Sequence, residues 1–249
     1  RRRIGEFLGW RFPAAVRAAR WHLLLSLLFT LAGAVIAFEM VTRDSDTYYL
    51  FVEPSLAQGR DPSASTSELR AQLYDEHDFD HGLTHFASKL FSNNSRVAIM
   101  AFALGFLAGL PTVFLLLYNG LMLGAFAALY DGRGLSLDLW GWLLPHGVTE
   151  LLAVILCGAA GFPPAHARGS PGPGPRLGAL RGRGRQAAEI VLGAVAMMFV
   201  AGLIEGIFRQ TVTSLTVRYA VAGGSALWWL VYLGGFGRAR VRREGLPWR

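Results

Sequence analysis

Residues 97–130 form an apolar run of 34 residues without a charge. One helix of that length would reach about 51 Å, whereas the hydrocarbon core of a bilayer is about 30 Å thick. Pro111 sits inside the run, and a proline withdraws a backbone donor from a helix interior. The run therefore reads as two short membrane spans, about 97–110 and 112–130, joined at the proline. The alternative is one crossing followed by a re-entrant piece. Composition agrees with a polytopic membrane protein: 53% of residues are hydrophobic, 16% are charged, and the mean hydropathy is +0.36.

Four more runs, at 21–38, 139–161, 187–207 and 221–236, are long and apolar enough to cross. The expected fold is all-α, a polytopic transmembrane helical bundle of about six spans. Small residues recur at spacing four in Gly105 and Gly109, Gly120 and Gly124, and Gly202 and Gly206. Such pairs let helix backbones approach closely in lipid, and three on different spans point to a compact bundle. Gly147 lies in the 139–161 run and joins this set of packing glycines.

Charge sorts by side. The net charge is +7, and its basic part flanks the apolar runs. Residues 1–20 carry six arginines around Ile4, Phe7, Leu8 and Phe12, which predicts an amphipathic helix on a cytosolic headgroup surface. Residues 39–95 hold ten acidic against four basic side chains, so this segment is expected outside. Its middle, 58–68, has loop composition, and 83–91 places Leu83, Phe86, Ala87 and Leu90 on one face of an outer amphipathic helix. The Arg-, Gly- and Pro-rich stretch 162–186 reads as a flexible cytosolic loop, and the tail 237–249 is basic again. Both termini are then cytoplasmic. The basic loop lacks interleaved aromatics, so no nucleic-acid partner is expected. No small-residue cleavage site follows the first apolar run, so no cleavable signal is expected.

The chemistry resides in polar residues set among apolar ones. His146 and Glu150 lie four apart and project from one helical face; Glu205 lies in the fifth span, with Arg209 as its nearest sequence partner. Ionisable groups at such depth cost roughly 2.5–3.5 kcal/mol on insertion scales, so they must face protein or a wet cavity. Together with Asn119 they form a candidate intramembrane cluster, read as a packing clasp with a proton or ion site as the rival. The HxxxE spacing lacks the second histidine of a zinc protease helix. Asn93 and Asn94 precede an apolar helix, in capping territory. His77, His81 and His85 recur at spacing four, but Gly82 weakens a helix there and the surrounding acids suit a solvated stretch. A lone cysteine, Cys157, excludes an intrachain disulfide. No catalytic residue, metal ligand or cofactor is assigned.

Several of these motifs occur together in one order: SNN at 92–94, NGLMLG at 119–124, PHGVTE at 145–150 and IEG at 204–206. In this the chain resembles the stage II sporulation protein M family of bacterial membrane proteins. The resemblance implies a non-enzymatic, multi-pass protein of the bacterial cytoplasmic membrane. It implies a scaffold that anchors other envelope proteins, cell-wall-cleaving ones among them. The competing readings are a transporter or channel built on His146, Glu150 and Glu205, and an intramembrane hydrolase.

Overall fold

The computed structural model describes residues 2–57, 59–74, 100, 110–169 and 176–246. Among the described residues every regular element is helical. The chain begins with α1 (Arg2–Glu6), a wide turn of π type over Phe7–Arg11, and α2 (Phe12–Ala18). The first long helix is α3 (Arg20–Arg43). Short helices α4 (Tyr48–Phe51), α5 (Pro54–Ala57) and α6 (Thr66–Tyr74) follow. Then come α7 (Leu110–Asp131), α8 (Ser136–Gly169), α9 (Arg176–Thr211), α10 (Leu215–Gly235) and α11 (Arg238–Glu244).

Five described helices are long and apolar enough to cross a membrane, which makes the chain an all-α polytopic bundle. The span expected at 97–110 lies outside the described residues except at Met100 and Leu110. So do the outer helix at 83–91, Asn93, Asn94, Gly105, Gly109 and the three histidines at 77, 81 and 85. Helix α7 starts at Leu110, so Pro111 occupies its first turn, where a missing N–H costs nothing.

Helices α3 and α7 run parallel. A Cβ at Gly120 would meet Thr30, and one at Gly124 would meet Ala34, so both numbers rise together. The chain leaves α3 at one end of the bundle and enters α7 at the other. Helix α8 then runs back, α9 forward and α10 back. Both ends of the chain meet at one end of the bundle, where Arg240 lies 3.8 Å from Glu6.

Helix α8 is the hub, touching α3, α7, α9 and α10. Its span is 61% buried, against 28% for α3 and 17% for α10. Small residues permit this density: Ala153, Cys157 and Ala160 on α8 share one core with Ala187, Ile190, Ala194 and Met197 on α9. Gly158 faces Leu116 and the Ser26 hydroxyl, so a Cβ there would lie 2.8–2.9 Å from both.

Two segments differ from the sequence expectation. The stretch 162–186, expected to be a flexible loop, is helical up to Gly169 and again from Arg176. Extending an existing apolar helix adds one bond per residue and needs no new nucleus, so glycine and arginine there do not stop it. The N-terminal segment is helical, and part of its apolar surface turns inward while Ile4 and Leu8 stay 64% and 46% exposed. Phe12, Ala15, Val16 and Ala19 join the main core, packed against α9 and α10.

At the opposite end the acidic segment folds into a cap. Tyr48, Val52, Leu69 and Leu73 pack on Ala125, Leu129, Tyr130, Leu135 and Leu139. Gly134 takes φ +67 where α7 stops, and the Leu135 amide donates back to the Tyr130 carbonyl at 2.9 Å. That left-handed closure turns the chain straight into α8. Helix α6 opens on a reciprocal cap: the Glu68 amide donates to Ser65 Oγ, and Glu68 Oε2 accepts from the Ser65 amide and hydroxyl. Those donors hold the Glu68 carboxyl below its ordinary range.

Candidate intramembrane polar site

His146 projects from α8 and Glu205 from α9, and the structure brings them together across the helix pair. His146 Nε2 lies 3.9 Å from Glu205 Oε1, with both side chains at most 5% exposed. That is ion-pair distance, longer than a hydrogen bond. Moving one proton from imidazolium to carboxylate leaves the pair neutral overall, so burying it costs far less than burying either charge alone. Trp142 stands one turn before His146 and meets it edge to face, with centroids 5.7 Å apart. Thr149 is buried beside them and accepts from Trp229 Nε1 at 2.9 Å, which ties α10 to the same level.

Glu150 is half-buried, one turn further along α8. Sequence spacing suggested Arg209 as a partner for Glu205; the structure also sets His146, from another helix, against it. The Arg209 side chain lies outside the described ones. Asn119 sits elsewhere, on α7, and donates to the Leu115 carbonyl of its own helix at 2.8 Å. It satisfies its amide locally and leaves the adjacent Gly120 to meet α3. Gly147 is buried, but a Cβ there would meet only Leu143 of its own helix. Gly202 is buried on α9 and Gly206 follows one turn on, at the level of Glu205.

Two further polar groups escaped the sequence reading. Glu189 of α9, 7% exposed, pairs with Arg11 of the N-terminal segment, and Gln186 donates to the Ala15 carbonyl at 3.1 Å. The signal was present, since an acid inside an apolar span demands a partner wherever it occurs. At the capped end Asp138 accepts from the Tyr74 hydroxyl and lies 3.7 Å from Arg70. Burial first, then that hydrogen bond, pushes the Tyr74 phenol up to about 12. Arg218, only 2% exposed, covers the Tyr74 ring at 5.3 Å and donates from Nε to the Val212 carbonyl at 2.7 Å. These contacts bolt the cap onto α8 and α10.

Among the described residues no group of three or more His, Cys, Asp or Glu side chains is disposed to hold a metal ion. The arrangement at His146 and Glu205 can clasp two helices or hold one proton between two groups. A double-mutant cycle separates the pair from its surroundings. His146→Leu and Glu205→Leu should each lower stability, and the double variant should lose less than their sum by a coupling of about 1–2 kcal/mol. Unfolding of the purified protein in mixed micelles measures it, and strictly additive losses would show that the two side chains do not interact.

A family model described as SpoIIM, stage II sporulation protein M, matches residues 23–208, more than half of the chain. No match appears among curated proteins or among solved structures.

Proposed function

The chain belongs to the stage II sporulation protein M family of membrane proteins, and from that premise we propose that it is a non-enzymatic anchor for other envelope proteins. The supporting observation is that two buried ionisable groups on neighbouring spans face each other. His146 and Glu205 face one another in a buried interior, and the open grooves at the termini and beside α3 are lined by other residues. A transport pathway needs such groups to meet water by turns.

The docking surface in this reading is the cap. It exposes Tyr49, Leu50 and Leu56, with Leu50 at 72%, beside Asp44, Asp46 and Glu53. An apolar spot ringed by acids buries against a partner while the charges steer basic surfaces towards it. The acidic cap lies outside the cytoplasmic membrane of a bacterium, and both arginine-rich ends lie inside, as the distribution of basic residues favours.

A photo-activatable residue at position 50 in cells should capture envelope proteins, and one at lipid-facing Leu28 should capture far fewer. The competing arm is reconstitution in liposomes. Proton or ion flux that disappears in Glu205→Gln, with no capture from position 50, would overturn the anchor reading in favour of transport.

A further inference from the structure

Where the two ends of the chain meet, a groove of about 630 Å³ opens between the N-terminal segment and the α10–α11 turn. Its walls include Glu6, Trp10, Arg238 and Arg240, and its floor includes Gly5 and Gly9. A Cβ at either glycine would meet nothing within 4 Å, so the floor is open space. Gly237, at φ +72, holds the turn against Trp10, where a Cβ would lie 2.6 Å from the Trp10 Cα.

The charges around the groove are unequally matched. Arg240 is neutralised by Glu244 at 3.0 Å and Glu6 at 3.8 Å, and its guanidinium covers the Trp10 ring at 4.8 Å. Arg238 makes no ion pair among the described residues; its charge instead opposes that of Arg17. Burial first, and Arg238 second, hold Arg17 below the ordinary guanidinium range. Arg17 Nη1 donates to the Leu233 carbonyl at 2.8 Å, while its Nη2 is buried without a hydrogen-bond partner among the described residues. An arginine without an ion pair in the wall of an open groove, with a second guanidinium near enough to repel it, leaves an unmet demand for an anion. Beside the groove Ile4, Leu8 and Phe236 are 64%, 46% and 44% exposed, an apolar border that suits hydrocarbon and not a free ion.

We propose that this groove binds the phosphodiester headgroup of an anionic phospholipid. Arg238 makes the direct contact, Arg17 supplies charge behind it, and the acyl chains lie over Leu8 and Phe236. The site differs from general attraction of basic residues to a charged surface, because one arginine inside the groove matters and others nearby do not.

The test titrates the full chain, in neutral detergent micelles, with phosphatidylglycerol, phosphatidylcholine or inorganic phosphate, following its thermal unfolding. Phosphatidylglycerol should stabilise the protein and the other two should not. Arg238→Gln should weaken that effect about fivefold, the worth of one arginine near an anionic headgroup. Arg243→Gln removes the same charge from an exposed position outside the groove and should leave it unchanged. Gly9→Phe fills the groove without touching charge and should abolish the effect. Equal losses from Arg238→Gln and Arg243→Gln would overturn the proposal in favour of diffuse attraction. A phosphate response equal to that of the lipid would overturn the lipid as occupant. Should Gly9→Phe fail to fold, the comparison of the two arginine variants decides alone.

Discussion

Phe12→Ala is expected to lower the unfolding free energy by about 3–5 kcal/mol, the range for emptying a buried phenylalanine site. The ring is 2% exposed and lies against the bare backbone of Gly193, where a Cβ would collide with it. Phe7 and Tyr232 flank it at 5.8 and 6.3 Å between centroids. Alanine cannot be compensated by collapse of the site, because the surrounding segment is pinned. Tyr232 donates its hydroxyl to the Leu8 carbonyl at 2.7 Å, and Gln186 and Arg17 hold the next two turns. Unfolding in mixed micelles gives the loss. Limited proteolysis of residues 2–18 in the folded variant reports whether the segment has come away. A loss below about 1 kcal/mol, comparable to a surface change, would mean that the ring is not seated.

Gly120→Val should be nearly as severe, at about 3 kcal/mol, the upper end of overpacking costs. A Cβ at Gly120 overlaps the Thr30 carbonyl and lies 2.9 Å from its carbon and 3.0 Å from the Ala34 amide nitrogen. These are backbone atoms, which cannot swing aside as a side chain would. Gly33 and Gly124 are equally closed, so α3 and α7 would have to part along their whole seam. Gly223 on α10 supplies the contrast, since a Cβ there meets nothing within 4 Å. Gly223→Ala should be neutral or gain up to about 1 kcal/mol from helix propensity. Comparable losses at both positions would mean that the closed seam is not what makes Gly120 irreplaceable.

Local signals were legible in the sequence, and remote ones were not. The membrane helices could be read because length and apolarity are properties of one continuous stretch, and Pro111 marked the start of α7 to within one residue. Glu205 was legible as a residue needing a partner. Its neighbour His146 was not, because that residue stands 59 positions away on another helix. The docking of the N-terminal segment depended on a match between Phe12 and Gly193, a residue whose significance is the absence of a side chain. The cap was read as an acidic segment with a loop in its middle. Tyr48 and Val52, like Leu69 and Leu73, keep a helical spacing of four, but the two pairs lie 17 positions apart, so their common core emerged only in three dimensions.

The seating of the first turns against the last helices also fixes an order of events. The Tyr232 hydroxyl reaches Leu8 across 224 positions, and Arg17 reaches Leu233 across 216. Until α9 and α10 have been synthesised and inserted, the Phe12 face has nowhere to go and stays accessible to chaperones and proteases. A chain cut short before residue 230 would display it permanently. The N-terminal segment is thus concealed only once α9 and α10 have arrived.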